Sequence, residues 1–251
     1  MLDLTSPIWK TLGAAGNDAD KWLRHLIEED GSFRENVDIL TEDLSHQLSW
    51  YSATAYVLPH LVALCPTLTL PDEIYLIAKT GPAIAAEAEW PLSPDSDACL
   101  EFQEGITGLR HEIRLLLANP ETAVQLKSDP ELCQEFSLSA LSIMGSRSHA
   151  YGLYLLSAYC WESGHAACAC GWNDEELPLS EHPVCLEPVS IARWDGRSLD
   201  SEPVWLSGLL SLTDDKELRP VLPYVYGTGV CPKCGRREPY WTWHNRFMKE
   251  Y

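Results

Sequence analysis

Apolar residues recur at helical spacing through the first 160 residues: Trp22, Leu23, Leu26 and Ile27; then Phe33, Val37, Leu40 and Leu44; then Ile106, Leu109, Ile113 and Leu116. Each set falls on one face of a 3.6-residue period, which is the pattern of an amphipathic helix packed on a core. Start signals sharpen the reading. Asn17 and Asp18 precede the first set, Ser32 with Glu35 three residues on has the form of a capping box, and Asn119-Pro120-Glu121 places a capping side chain before a proline. Gly31 stands where a helix should stop. These signals predict helices near 18–30, 33–47, 52–65, 72–89, 98–118, 121–127, 131–145 and 149–162, joined by short connections. Pro59, inside the third of them, predicts a bend because it removes a backbone donor and crowds the preceding turn. Residues Trp90 to Ala98 carry two prolines among Asp and Ser and predict an exposed loop.

Beyond about residue 163 the pattern changes. Pro178, Pro183, Pro188, Pro203, Pro220 and Pro223 cut the chain into short runs, of which Val184 to Trp194 and Val221 to Tyr226 are β-compatible, with one helix expected over Pro203 to Lys216. The shift divides the chain into a helical domain, residues 1–162, and a β-containing segment, residues 163–251. Composition supports a folded chain: 251 residues, 45% of them apolar, with ten Trp and ten Tyr, exclude a disordered or fibrous class.

Charge narrows the partners. The formal net charge is −19, and residues 1–160 hold 23 Asp and Glu against 9 Lys and Arg, a balance of −14. Nucleic-acid binding depends on Lys and Arg displacing the counterions of phosphates, so no nucleic-acid partner is expected. No stretch approaches the roughly 18 uninterrupted apolar residues of a membrane helix, so no membrane is expected either. The first twenty residues lack the basic and apolar regions of a secretory signal, and nine cysteines is an odd count. The expected location is therefore the cytoplasm, with reduced thiols that bind metal rather than form disulfides.

The phrase His46-Gln47, followed by Tyr51-Ser52-Ala53-Thr54-Ala55-Tyr56-Val57-Leu58-Pro59-His60-Leu61, resembles a helix pair of a group of bacterial HEAT-repeat-like proteins. The resemblance covers residues 17 to 65 closely and runs more loosely to about 162. It implies a mainly α fold: a HEAT-like, helical-pair α-solenoid layer in which each pair buries its apolar face on the next. It also implies a place among proteins that mask toxins.

The chemistry is carried by cysteines. Cys231-Pro232-Lys233-Cys234-Gly235 is a C-x₂-C with a following glycine, which lets two thiolates and the turn amides converge on one ion, as in a zinc knuckle. Cys168-Ala169-Cys170-Gly171 is a second pair before a glycine, with tighter spacing. Together Cys168, Cys170, Cys231 and Cys234 supply the four sulfurs of a closed structural Zn²⁺ site that stabilises a small zinc-ribbon-like segment. The 60 residues between the inner cysteines require inserted strands and a helix. His165 and Cys185 are reserve ligands. Cys65, Cys99, Cys133 and Cys160 fall on or beside apolar helix faces and read as small core hydrophobes.

Enzymatic signatures are missing from the sequence. His111-Glu112-Ile113-Arg114-Leu115 begins like a zinc-protease helix, but Leu115 stands where the second histidine belongs. No phosphate-binding glycine loop and no nucleophile elbow is present. His25, His46, His60, His111, His149 and His182 are scattered and read as structural. The aromatic tail Tyr240 to Phe247 alternates large residues at period two, and its expected role is to dock the small segment on its neighbour. The expected function is therefore a non-enzymatic protein-interaction module with no catalytic residue, which binds a basic protein and in its sharper form acts as an immunity protein. The alternative is an enzyme using Cys170 or an open metal position between the two segments.

Overall fold

Prolines and short polar residues start most helices of the chain where the sequence places them. In a computed structural model, which describes residues 1–159, 163–178, 191–192, 194, 201–213 and 218–250, the protein is mainly helical with a small antiparallel three-stranded sheet near its C-terminus. Its compact units are Met1–Tyr151 and Gly152–Tyr251. The boundary read from composition lies at 162/163, and residues 160–162 just before it lie outside the described residues.

The first unit begins with a single 3₁₀ turn, Pro7–Thr11, and continues through α1 (Ala19–Ile27), α2 (Phe33–Ser45), α3 (Ala53–Leu64), α4 (Leu70–Ala86), α5 (Asp97–Ala118), α6 (Pro120–Ser128) and α7 (Pro130–Met144). Helix α8 (Arg147–Tyr159) follows. The Asn119 side chain accepts from Glu121 N at 3.0 Å and Asp129 from Leu132 N at 3.1 Å, each just before a proline at the first helical position. Two start signals work differently from expectation. Ser32 does precede α2, but its side chain makes no capping bond; Asn36 instead donates to the Asp30 carbonyl at 2.7 Å and closes the turn from inside the helix. Asp18 likewise makes no side-chain cap on α1, and the Asp43 carboxylate of α2 accepts from Gly16 N at 2.8 Å. Helix α3 continues through Pro59 to Leu64.

The helices pack in two rows. One runs α1, α3, α5 and the other α2, α4, α7, while α1 packs on α2, α3 on α4 and α5 on α7. Fully buried side chains such as Leu23, Leu40, Leu58, Ile77, Phe102, Ile106 and Phe136 fill the space they enclose. The α3–α5 approach depends on two glycines one turn apart. A Cβ at Gly105 would lie 2.4 Å from the Leu58 Cβ, and one at Gly108 would lie 2.4 Å from Val62 Cγ1. Gly105→Ala is expected to destabilise the unit on denaturant unfolding: overpacking costs about 1–3 kcal/mol, only partly offset by the better helix propensity of alanine, about 1 kcal/mol. A gain of about 1 kcal/mol, the propensity effect alone, would show that α3 and α5 do not lie this close.

Glu73 on α4 has its carboxyl pushed up to about 7 by burial and by the like charge of Glu112 on α5. Its folded pKa lies above the ordinary 4.5, so its contribution to stability is complete below about pH 4.5 and is lost as pH rises through about 7. Glu73→Gln should therefore flatten the fall in Tm across that range, and a fall as steep as that of the wild type would remove Glu73 as its source.

The second unit contains β1 (Ser163–Cys168), β2 (Trp172–Pro178), β3 (Ile191–Ala192), α9 (Ser201–Thr213), α10 (Leu218–Val225), β4 (Thr228–Val230), β5 (Arg237–Pro239) and α11 (Tyr240–Glu250). Strands β1 and β2 form a hairpin with Cys168 opposite Trp172. The second sheet has the order β3-β4-β5, all antiparallel. Helix α9 covers the helix expected over Pro203 to Lys216 as far as Thr213, and residues 214–217 lie outside the described residues. The run Val221 to Tyr226, read as β-compatible, is largely helical instead: Leu218, Val221, Leu222 and Val225 are buried at helical spacing, and Pro220 sits in the first turn, where no amide donor is needed. Of Val184 to Trp194, only Ile191, Ala192 and Trp194 are described; Cys160, His182 and Cys185 lie outside the described residues. The aromatic tail is also a helix, α11. Tyr240, Trp243, His244 and Phe247, at i, i+3, i+4 and i+7, are buried, which a period of two does not produce in a helix.

Candidate metal centre

Both cysteine pairs stand at hairpin tips. Cys168 is the last residue of β1 and Cys170 sits in the turn to β2, which Gly171 closes at φ +79° while its N–H donates to the Cys168 carbonyl at 2.9 Å. Cys231 follows β4, and the turn to β5 closes through Gly235 at φ +73°, whose N–H donates to the Cys231 carbonyl at 2.8 Å. Left-handed backbone at both positions explains why a glycine follows each pair. The Cys231 N–H donates to the Arg236 carbonyl at 2.8 Å and completes the second tip.

The two tips converge. The sulfurs of Cys168, Cys170, Cys231 and Cys234 all lie within 4.8 Å of one another, and among the described residues they are the group of metal-binding side chains placed to hold one ion. Cys168 Sγ is 3.7 Å from Cys234 Sγ, and Cys170 Sγ is 3.7 Å from Cys231 Sγ. A disulfide needs about 2.05 Å, so the sulfurs are not bonded. In a tetrahedral tetrathiolate with metal–sulfur bonds of about 2.3 Å, the edges of the tetrahedron are about 3.8 Å. Sulfur donors at this spacing fit a soft or borderline divalent ion and fill its coordination sphere with four ligands. All four candidate ligands read from the sequence are thus brought together. The reserve ligand His165 lies on β1.

Burial is graded across the cluster: Cys168 and Cys231 are buried, Cys170 is half-buried and Cys234 is exposed. Without a metal, burial pushes the Cys168 thiol up to about 12, and hydrogen bonding among the neighbouring thiols acts in the same direction. A bound cation reverses that preference by displacing the protons, so binding releases acid.

Two features of this centre were not read from the sequence. Lys233 Nζ donates to the Cys170 carbonyl at 3.2 Å and so ties one tip to the other. Helix α11 then clamps both hairpins. Arg246 donates to the Ala167 carbonyl beside Cys168 at 2.7 Å and pairs with Glu238 of β5 at 3.1 Å. Trp243 Nε1 donates to the same carboxylate at 2.9 Å, and its ring lies so close to β4 that a Cβ at Gly229 would stand 2.1 Å from it. The Arg246 hydrogen bonds hold the Glu238 carboxyl below its ordinary range. Helical spacing of Tyr240, Trp243, His244 and Phe247 was the signal that could have found this clamp.

Cys65 and Cys133 are buried in the helical unit, and burial pushes the Cys65 thiol up to about 12. Cys99 is half-buried. His60 donates from Nε2 to the Leu2 carbonyl at 2.8 Å, and His46 pairs with Glu42. Leu115, which interrupts the protease-like motif, is an exposed residue of α5. Among the described residues no helix is long and apolar enough to cross a membrane.

The chain is therefore a mainly helical protein with a four-cysteine cluster, suited to metal, at the meeting of two C-terminal hairpins. It matches no family model, no curated protein and no solved structure.

Proposed function

We propose that the protein is a non-enzymatic protein-interaction module in which a HEAT-like stack of helix pairs binds a basic protein and a structural Zn²⁺ folds the C-terminal unit. The observation that carries the reading is charge: Met1–Tyr151 holds 23 acidic residues against 9 Lys and Arg. Such a field steers a basic partner and raises its on-rate. The two-row packing of α1 to α5 and α7 supports the helical-pair stack. A set of four thiols supports a closed site, since a catalytic zinc keeps one position for water. The sharper form is an immunity protein that masks a basic toxin, and its support is the resemblance of residues 46–61 to bacterial HEAT-repeat-like proteins.

The test is capture from native extract at low and then high salt, followed by reconstitution with each purified candidate. A basic protein that binds at low salt and is released at high salt is the expected result, because screening shortens the attraction to about 8 Å at physiological ionic strength. Recovery of nucleic acid, or turnover of a small metabolite without a protein partner, would overturn it in favour of an enzyme whose chemistry uses Cys170 or an open metal position.

A further inference from the structure

The sulfurs of the cluster are not equivalent. Each 3.7 Å sulfur pair joins a residue that solvent reaches to one that it does not: exposed Cys234 with Cys168, 2% exposed, and half-buried Cys170 with Cys231, 1% exposed. Both pairs also run across the two hairpins rather than within one. We infer that the centre is an oxidant-releasable metal site, in which peroxide attacks the accessible sulfur of each pair and the buried partner resolves it into a cross-hairpin disulfide. The inference rests on the reading of the cluster as a zinc site.

The chemistry balances with a peroxide as the named oxidant. The Cys234 thiolate attacks one oxygen of hydrogen peroxide, the O–O bond breaks, and a sulfenic acid and hydroxide result. The Cys168 thiolate then attacks the Cys234 sulfur and expels a second hydroxide, leaving one disulfide. Two thiolates are oxidised by two electrons and one peroxide is reduced. Cys170 and Cys231 repeat the sequence. Closing each bond needs the sulfurs to move from 3.7 Å to about 2.05 Å. The metal loses all its ligands and leaves, while the two hairpins stay joined by the new bonds. Cys65 and Cys133, each 1% exposed in the helical unit, have no such access to oxidant.

The experiment uses the full chain purified without chelator. Its zinc content is measured first; peroxide is then added stepwise with a chromophoric zinc indicator present, and the disulfides are mapped by mass spectrometry after alkylation. Release complete at about two peroxides per zinc, with Cys168–Cys234 and Cys170–Cys231 links, is expected, and a thiol reductant plus zinc should restore the starting state. Zinc that stays bound while other cysteines oxidise, or links formed within one hairpin as Cys231–Cys234 or Cys168–Cys170, would overturn the inference alone. Absence of zinc at the start would overturn the metal reading and this inference with it. Since the mapping is done on the unaltered chain, the result does not depend on a cysteine variant that folds.

Discussion

Cys231→Ser is expected to abolish stoichiometric metal binding and to unfold Gly152–Tyr251, while most of the helical signal of Met1–Tyr151 survives. Cys231 is 1% exposed, and its main chain holds both ends of its turn through Arg236 and Gly235, so its loss removes a ligand from the buried side of the cluster. Metal binding free energy at such sites is folding free energy, on the order of 10 kcal/mol for structural zinc, which exceeds what a small unit gains from its own core. The helical unit has an independent core around Leu40, Leu58 and Phe136. Far-UV circular dichroism combined with limited proteolysis reads both parts. Collapse of the entire helical signal would show that the two units do not fold independently, and persistence of a protected C-terminal unit would show that metal is not what folds it.

Trp243→Ala should have the next largest effect. The side chain is fully buried, packs on Gly229 and donates to Glu238, so its removal leaves a cavity beside the cysteine tips and takes one hydrogen bond from a carboxylate that Arg246 also holds. A loss of about 3–5 kcal/mol is expected for truncating a buried tryptophan. A metal held by the cluster would bind only the folded unit, so excess zinc should recover part of that loss by mass action, about 2.7 kcal/mol at a hundredfold excess over Kd. Thermal unfolding with and without added zinc measures both quantities. A variant as stable as the wild type would remove α11 as the clamp, and a loss that zinc does not relieve would uncouple α11 from the centre.

Much of the helical unit was legible because burial there follows a single helical period. The predicted helix over 98–118 is observed as Asp97–Ala118, and the one over 131–145 as Pro130–Met144. The four cysteines were legible because their spacing and the glycine after each pair have a geometric reason in the turn. Legibility failed where short segments carry two periods at once. Val221 to Tyr226 is a continuous apolar run between prolines that suits a strand as well as a helix. The alternation Trp241, Trp243 within Tyr240 to Phe247 masked the i, i+3, i+4, i+7 set that decides its burial. The cap of Gly16 by Asp43, the tie from Lys233 to Cys170 and the grip of Arg246 on Ala167 join residues 27, 63 and 79 positions apart, and no local pattern specifies them. Gly105 and Gly108 likewise acquire meaning only once α3 is seen against α5.

The central claim is that four cysteines from two hairpin tips hold one metal ion and thereby fold the C-terminal unit. Elemental analysis of the chain purified without added metal, with thiol titration under native conditions, tests it most directly. About one zinc per chain, with Cys168, Cys170, Cys231 and Cys234 protected until a chelator or denaturant is added, is the predicted result. Less than about 0.3 metal ions per chain, with all nine thiols reacting freely in the native state, would contradict it.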